Sequence, residues 1–445
     1  MLRRDHAVLQ FQDRVEMRGV DELHAYPGNA RKHDRNQVRQ IGESIRRFGF
    51  TNPVLISSQG QIVCGHGRVE AARQIGLREV PTLTLSHLTP DELRAYALAD
   101  NRIALDGSWD NELLGIELQH LIEVDFDLDL TGFSMTEIDL ALGVLAIGED
   151  AEDEVHAPAL AGPPVTQTGD IWHLGGHRLI CGDAQDPSVI ERLLEGGDAD
   201  LLFTDPPYNV QINGHVSGMG KHKHREFAYA SGEMSSVEFS AFLATTLGIA
   251  AASLRDGAIA FVCMDWRHVA ELLRAGELVF DEYKQLCVWN KTNAGMGTFY
   301  RSKHELVFVF KVGSAPHVNN FGLGEGGRYR TNVWDYPGIS SPTATRDAEL
   351  AMHPTVKPVQ LVQDAILDCS KRGDIVLDCF GGSGTTLIAA ERVGRLARLV
   401  EIDPAYCDTI IRRFEKATRK RATLGPDGPE FAVLSRQVSP ASIEV

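Results

Sequence analysis

DIVLDCFGGSGTTLIAAERVG, residues 374–394, sets the architecture expected for most of the chain. An apolar run ends on Asp378, the following turn holds Gly381, Gly382 and Gly384, and a helix is predicted from about Thr385. Glycine lets a backbone approach a ligand closely, and a helix N-terminus offers free N–H donors and partial positive charge. The next predicted strand, in RLARLVEID (395–403), ends in Glu401. Nucleotide-binding α/β sheets place an acid there, roughly 20 residues on, to accept hydrogen bonds from ribose hydroxyls. The loop has no GK[ST] of a phosphate-gripping P-loop and no full GxGxxG, since Thr385 and Thr386 follow Gly384. The implied ligand is adenosine-like and carries no triphosphate; the competing reading is a tight strand–helix turn without a ligand.

LLFTDPPYNV, residues 201–210, supplies a second strand end. At the carboxyl end of a parallel strand, Asp205 and the carbonyl of Pro206 are expected to face the crevice of the glycine loop. Pro206 and Pro207 fix φ where the ladder has already ended. A carboxylate and a carbonyl are both acceptors, so together they suit a planar NH₂ group and leave its lone pair free. Tyr208 adds a flat face for a heteroaromatic ring. The four residues make a socket for an exocyclic amine on a base; the plainer alternative is a strand end with a Pro-Pro turn.

Further strands are predicted in 200–205, 258–264, 285–291 and 305–312, with helical stretches between some of them. Such alternation implies an α/β unit on a parallel sheet covered on both faces. DIWHLGGHRLICGD reads as a hairpin around Gly175 and Gly176. With 445 residues, two or three domains are expected. The expected division is a smaller α+β unit over 1–147, an acidic then Pro/Ala/Gly-rich linker over 148–169, a catalytic unit over 170–421 and a fraying tail over 422–445. In the first unit, helical spacing in QVRQIGESIRRFGF leads to extended NPVLISS, a turn at Gln59-Gly60, a strand QIVC and a helix in GHGRVEAARQIG.

A net charge of −17, from 44 basic and 61 acidic residues, argues against nonspecific coating of nucleic acid but leaves room for a local basic surface. KHKHR (221–225) is one such patch, with Lys221, Lys223 and Arg225 as candidate DNA contacts. RRFEKATRKR (412–421) is read instead as the solvated face of a helix. Seven cysteines, at 64, 181, 263, 287, 369, 379 and 407, show no CxxC and no zinc spacing. Reduced thiols in a cytoplasm are expected, with no metal, no signal peptide and no membrane span.

Residues 170 to about 420 resemble amino-group DNA methyltransferases of the permuted "beta" order, in which the target motif precedes the cofactor loop. DPPY and DCFGGSGTT match the family's catalytic and cofactor motifs. HPTVKPVQLVQDAI (353–366) resembles the segment that holds the methionine end of S-adenosylmethionine, and LICGDA resembles the one placing an acid near adenine. VWNKTNAGMGTFYRSKHELVFVFKVG also follows the family. The resemblance implies a Rossmann-like, circularly permuted fold. It implies S-adenosylmethionine held by Asp183, Thr355, Lys357, Asp378, Phe380, Gly382, Ser383, Gly384, Thr385 and Glu401. It implies a base flipped from double-stranded DNA, its amine gripped by Asp205 and the Pro206 carbonyl. A homodimer and a cognate restriction endonuclease are candidate partners on the same ground. Asp before Pro-Pro-Tyr goes more often with adenine and Ser with cytosine in this family, so N6-adenine is expected, with N4-cytosine the alternative. Loop 211–232 and segment 318–350 are the expected readers of DNA sequence.

YPGNARKH, IGESIRRFGFTNPVLI and IVCGHGRVEAARQIGLREVP resemble the ParB and sulfiredoxin-like domain. Gly65, Gly67 and Arg68 stand where relatives cradle a nucleotide phosphate. Cys64 is separated from a His-Arg pair, and the extra Arg of GERR is absent from GHGR, which speaks against cysteine repair and against CTP hydrolysis. A DNA-associated module is expected, the alternatives being a scaffold that binds no nucleotide and a partition-like binder whose methylase half is inactive.

Overall fold

The computed structural model describes residues 15–103, 107–146, 163–210, 232–292, 299–321, 330–338 and 356–438. The chain divides into two compact units, Met1–Gly148 and Glu149–Val445.

The first unit carries a four-stranded sheet in the order β1-β4-β2-β3. Its strands are β1 (Glu16–Gly19), β2 (Val54–Ile56), β3 (Ile62–Cys64) and β4 (Glu79–Thr84). Helix α1 (Arg35–Phe48) starts on Asp34, whose side chain accepts from the Gln37 N–H. Helix α2 (His66–Gln74) starts on Gly65 at φ 102°, a conformation that favours glycine. Three helices follow, α3 (Pro90–Ile103), α4 (Asn111–Glu123) and α5 (Met135–Ala146). Leu118 of α4 and Ile138 and Ala141 of α5 form a small core of their own.

The second unit is built on ten strands, β5 (Ile171–Leu174), β6 (His177–Cys181), β7 (Ala199–Thr204), β8 (Leu254–Met264), β9 (Glu282–Asn290), β10 (His304–Lys311), β11 (Val333–Asp335), β12 (Ile375–Asp378), β13 (Leu396–Glu401) and β14 (Ala422–Leu424). Its helices are α6 (Pro187–Leu194), α7 (Ser236–Ala252), α8 (Val269–Val279), α9 (Val359–Cys369), α10 (Thr385–Arg392), α11 (Pro404–Thr418) and α12 (Phe431–Val438). The sheet order is β11-β9-β10-β8-β7-β12-β13-β6-β5-β14. Strands β8, β7, β12, β13 and β6 run parallel at the centre. The expected all-parallel sheet holds there and in the edge pair β11/β9, but not across the whole sheet. β10 is antiparallel to both β8 and β9, and β5 is antiparallel to β6 across Gly175-Gly176. A connection without a crossover helix reverses the chain instead of returning it to the same direction.

Alternation along the central strands builds two cores. Leu201, Phe203, Val376 and Leu399 face Leu361, Ile366, Leu387 and Ile410 of α9, α10 and α11. Leu202, Ala260, Leu377 and Val400 face Ile190, Phe239, Leu243 and Leu272 of α6, α7 and α8. The chain leaves β7 toward β8 on one side and leaves β12 toward β13 on the other. The pair β7/β12 is therefore the switch point of the sheet, outside whose carboxyl ends ligands bind in open α/β folds.

Two expected boundaries move. Residues 422–438 are not a frayed tail: β14 pairs antiparallel with β5, and Phe431 of α12 packs edge-on against the buried Trp172, ring centroids 5.4 Å apart. Ala422, Leu424, Leu434 and Val438 pack on the same core, so a segment with few large apolar residues is held by strand pairing and burial together. The end of the expected linker also belongs to the sheet unit. Asp408, buried in α11, accepts the backbone N–H groups of Val165 (2.9 Å) and Thr166 (3.0 Å) and the Thr166 hydroxyl (2.7 Å). Asp408→Ala should cost about 2–3 kcal/mol by leaving these buried donors unpaired. Urea unfolding of the full chain measures this, and a loss under about 0.5 kcal/mol would mean that Asp408 does not anchor the segment.

Candidate active site

Three acids stand at the carboxyl ends of adjacent central strands. Asp183 follows β6 and accepts the Gln185 N–H at 2.9 Å. Asp378 ends β12, buried, and accepts from the Thr386 hydroxyl (2.6 Å), the Phe380 N–H (3.1 Å) and the Thr204 hydroxyl (3.2 Å). Glu401 ends β13, and its two oxygens accept the N–H groups of Gly382 (2.8 Å) and Asp403 (2.9 Å). Burial raises both Asp378 and Glu401 to about 7, against the pull of those hydrogen bonds. Gly382 and Gly384 sit at φ 52° and 81°. A Cβ on Gly384 would lie 3.0 Å from Ile410, so this turn has neither the dihedral nor the room for a side chain. The cradle is narrow, rich in acceptors and acidic. That donor set fits a ligand with an amino group, ribose hydroxyls and positive charge, and it repels phosphate.

Next to it, Asp205 and Tyr208 follow β7, and Pro206 is buried. The Thr204 hydroxyl on Asp378 ties the ends of β7 and β12 together, so both motifs open on one edge of the sheet. Tyr208 donates its hydroxyl to Asp205 Oδ1 at 2.6 Å. On Oδ2 sits the ammonium of Lys357, at 2.5 Å. Lys357, two residues ahead of α9, also lies 3.1 Å from Glu305 Oε2 and 3.1 Å from the Tyr208 oxygen. Lys291, just after β9, bonds the other oxygen of Glu305. Trp289 lies under both lysines, its ring centroid 4.4 Å from the Lys291 nitrogen and 6.0 Å from that of Lys357. Burial pushes Asp205 up despite Lys357, and it opposes the charge on Glu305, yet Lys357 and Lys291 hold Glu305 down at about 2.

Three stretches of the chain match known protein families. A DNA methylase family model matches residues 199–412, a ParB-methyltransferase HTH domain model residues 112–168, and a ParB N-terminal domain model residues 6–102. The chain carries a DNA methylase domain of the N6/N4 family behind N-terminal ParB-type domains. The family is S-adenosylmethionine-dependent. Among its relatives, the type II methyltransferase M.HinfI of Haemophilus influenzae is 24% identical over 262 residues, 55% of this chain and 68% of that protein. The type II methyltransferase M2.DpnII of Streptococcus pneumoniae is 28% identical over 228 residues, 48% of this chain and 82% of that protein. At the other end, the ParB-like nuclease domain-containing protein YnaK of Escherichia coli (strain K12) is 47% identical over 79 residues, 18% of this chain and 91% of that protein.

Within the methylase unit, the structure brings Asp205, Tyr208, Asp378, Gly382 and Glu401 to one edge. Phe380 is half-buried against Phe242, ring centroids 6.1 Å apart. Lys357 is assigned by sequence to the cofactor, and the structure sets it on the Asp205 carboxylate. Arg413 departs from the solvated helix face expected of 412–421. It is buried and donates to the Ser383 carbonyl (3.0 Å) and the Thr385 hydroxyl (3.2 Å), so it braces the glycine turn from behind. Its neighbour Arg412 is the one on the outer face, over the Phe431 ring. Thr355, Lys221, Lys223 and Arg225 lie outside the described residues.

Glu305, Lys291 and Asn209 are site residues that sequence reasoning missed. Asn209, at φ 53°, accepts the N–H groups of Gly232 and Met234 and donates to the Met234 carbonyl, clasping the two ends of 210–232 beside Tyr208. Its place directly after the motif was the available signal, since Asn tolerates the left-handed region.

In the ParB-type unit, Gly67 meets α1 closely, where a Cβ would lie 3.1 Å from His33 and Ile41. Arg68 turns its guanidinium onto the carbonyls of Asn52 (2.7 Å) and Pro53 (3.1 Å). Cys64 is buried, and burial with an Asp100 hydrogen bond pushes its thiol up to about 12. It is a protonated packing residue in the neutral range. All seven cysteines are free and buried, and among the described residues no helix is long and apolar enough to cross a membrane.

The raised acids make a stability prediction for the methylase unit. A carboxylate raised by burial favours the fold when protonated. Its contribution is full below the ordinary range near pH ~4 and is lost as pH rises through about 7. The melting temperature of the free protein should fall by a few degrees between about pH 5 and pH 7 and level off above. Asp378→Asn should flatten that fall. An unchanged slope in calorimetry of the variant would remove Asp378 from this account.

Proposed function

We propose that the chain is a sequence-specific methyltransferase acting on the N6 amine of adenine in double-stranded DNA. The observation that carries this reading is the Asp205-Pro206-Pro207-Tyr208 turn beside the acidic glycine cradle at the β7/β12 switch point. S-adenosylmethionine supplies an activated methyl group when bound. Asp183, Asp378, Phe380, Gly382, Ser383, Gly384, Thr385 and Glu401 are the residues around its place, and Thr355 is assigned there by sequence. Asp205 accepts the amine hydrogens and leaves the nitrogen lone pair free, and the Tyr208 ring offers a stacking face. Extruding the base from the duplex costs about a few kcal/mol, which the pocket must recover. An Asp ahead of Pro-Pro-Tyr supports adenine over cytosine. The ParB-type unit is read as a DNA-associated module, and a homodimer and a cognate restriction endonuclease are partners to test for.

Beyond the motifs, aromatic and basic residues gather on the same edge of the sheet. Trp266 is exposed after β8, with Arg267 stacked on it at 4.8 Å. Phe299 and Tyr300 are exposed ahead of β10, ring centroids 4.6 Å apart. They suit contact with a distorted duplex.

Asp205→Ala should abolish methyl incorporation into DNA, by at least about a thousandfold, while cofactor affinity stays within about threefold. Radiolabelled-methyl transfer and calorimetric titration measure the two. Loss of cofactor binding in that variant would reverse the assigned roles. Base-modification sequencing of DNA from cells expressing the chain reads the target: N4-methylcytosine in place of N6-methyladenine would overturn the adenine reading.

A further inference from the structure

Two lysines and two carboxylates line up beneath the target pocket in alternating sign: Lys291, Glu305, Lys357, Asp205. Their side chains are 24%, 14%, 5% and 20% exposed. Packing gives no reason for such a row, because burying charges costs desolvation and hydrophobic residues of similar volume usually stabilise as well or better. The geometry is also unusually complete at Lys357. An ammonium has three N–H donors, and here three acceptors surround it, on Asp205, Glu305 and Tyr208. The lysine is fixed in place and has no donor left over.

That placement bears on the acceptor chemistry of Asp205. A carboxylate offers about four lone-pair directions. Tyr208 takes one on Oδ1 and Lys357 takes one on Oδ2, which leaves one on each oxygen. We propose that Lys357 is a positioning residue for methyl transfer, held by Glu305 and Lys291, whose charge keeps Asp205 a carboxylate and whose bond selects the lone pairs that meet the target amine. The inference rests on the reading of Asp205 as the amine acceptor.

Charge balance explains why the carboxylate form matters. The amine lone pair forms the new N–C bond while the C–S pair returns to sulfur, and the nitrogen becomes positive and must shed a proton. An ionised Asp205 both stabilises that charge and is placed to take the proton; a protonated one presents an O–H where the amine brings its own hydrogens. The other groups facing Asp205 do not replace Lys357. Tyr208 and Cys263 of β8 are neutral, their protons held on by burial, and Glu305 and Asp378 are acids that disfavour a second negative charge. Lys291 reaches Asp205 only through Glu305.

The test is the titration of Asp205 in the full chain, read from the ¹³C carboxyl signal of labelled aspartate assigned with Asp205→Asn, alongside single-turnover methylation across pH. In Lys357→Met the Asp205 titration and the acid limb of the rate profile should both move up by at least about one pH unit, with activity recovering at high pH. Lys357→Arg should keep both near wild type, and Lys357→Gln, which retains hydrogen-bond donors without charge, should behave like Met. A uniform loss of rate at every pH with an unmoved Asp205 titration would overturn the proposal, as would a loss of cofactor binding. The carboxyl titration needs no catalysis. If wild-type protein methylated no DNA while the titration still moved, the electrostatic role would stand and the proposed function would fall.

Discussion

The parallel pairing of β7 with β12 is the contact on which the rest of this site depends. Val376 lies opposite Leu201 and Leu377 opposite Leu202, so Asp378 and Asp205 leave the sheet at the same edge. The Thr204 hydroxyl on Asp378 locks that register from the side chains as well. A one-residue slip would move every side chain of β7 to the opposite face, undoing both cores and separating the two motifs. Segments more than 150 residues apart in sequence are made into one cleft by a few backbone hydrogen bonds.

Two electrostatic solutions operate within that cleft. At the glycine turn, Asp378 and Glu401 are buried. They are held by hydroxyl and backbone donors, and burial raises both. A cationic, hydroxyl-bearing ligand would relieve that strain, which makes the unliganded edge less stable than the liganded one. After β7, Asp205 has Lys357 against it and Glu305 behind, so the negative charge is balanced within the protein. One half of the cleft holds buried acids without a balancing charge among the described residues, and the other pairs its charges within the protein.

The ParB-type unit is built on different terms. Its glycine turn has the left-handed Gly65 and a helix start, and Arg68 Nη1 bonds the carbonyls of Asn52 and Pro53. Gly67 answers to packing against α1. In the described structure these residues serve the fold first. Small-residue motifs look alike whether they make room for a ligand or for a neighbouring helix.

The sequence by itself determined what depends on local chemistry: the strand–turn–helix of 374–394, the Pro-Pro turn after Asp205, the hairpin at Gly175-Gly176, the helical spacing of 37–50 and the helix start at Gly65. Each follows from residues within a few positions of one another, where dihedral limits and capping act. Tertiary structure alone decided the antiparallel β10 between β8 and β9, the attachment of 422–438, the bracing Arg413 and the row from Lys291 to Asp205. A charge run such as 412–421 carries no local mark of which arginine turns inward. Glu305 and Lys357, 52 positions apart, have no shared pattern that a reader of the chain could notice. Their meeting is set by which strands lie side by side, and that is a property of the packed sheet.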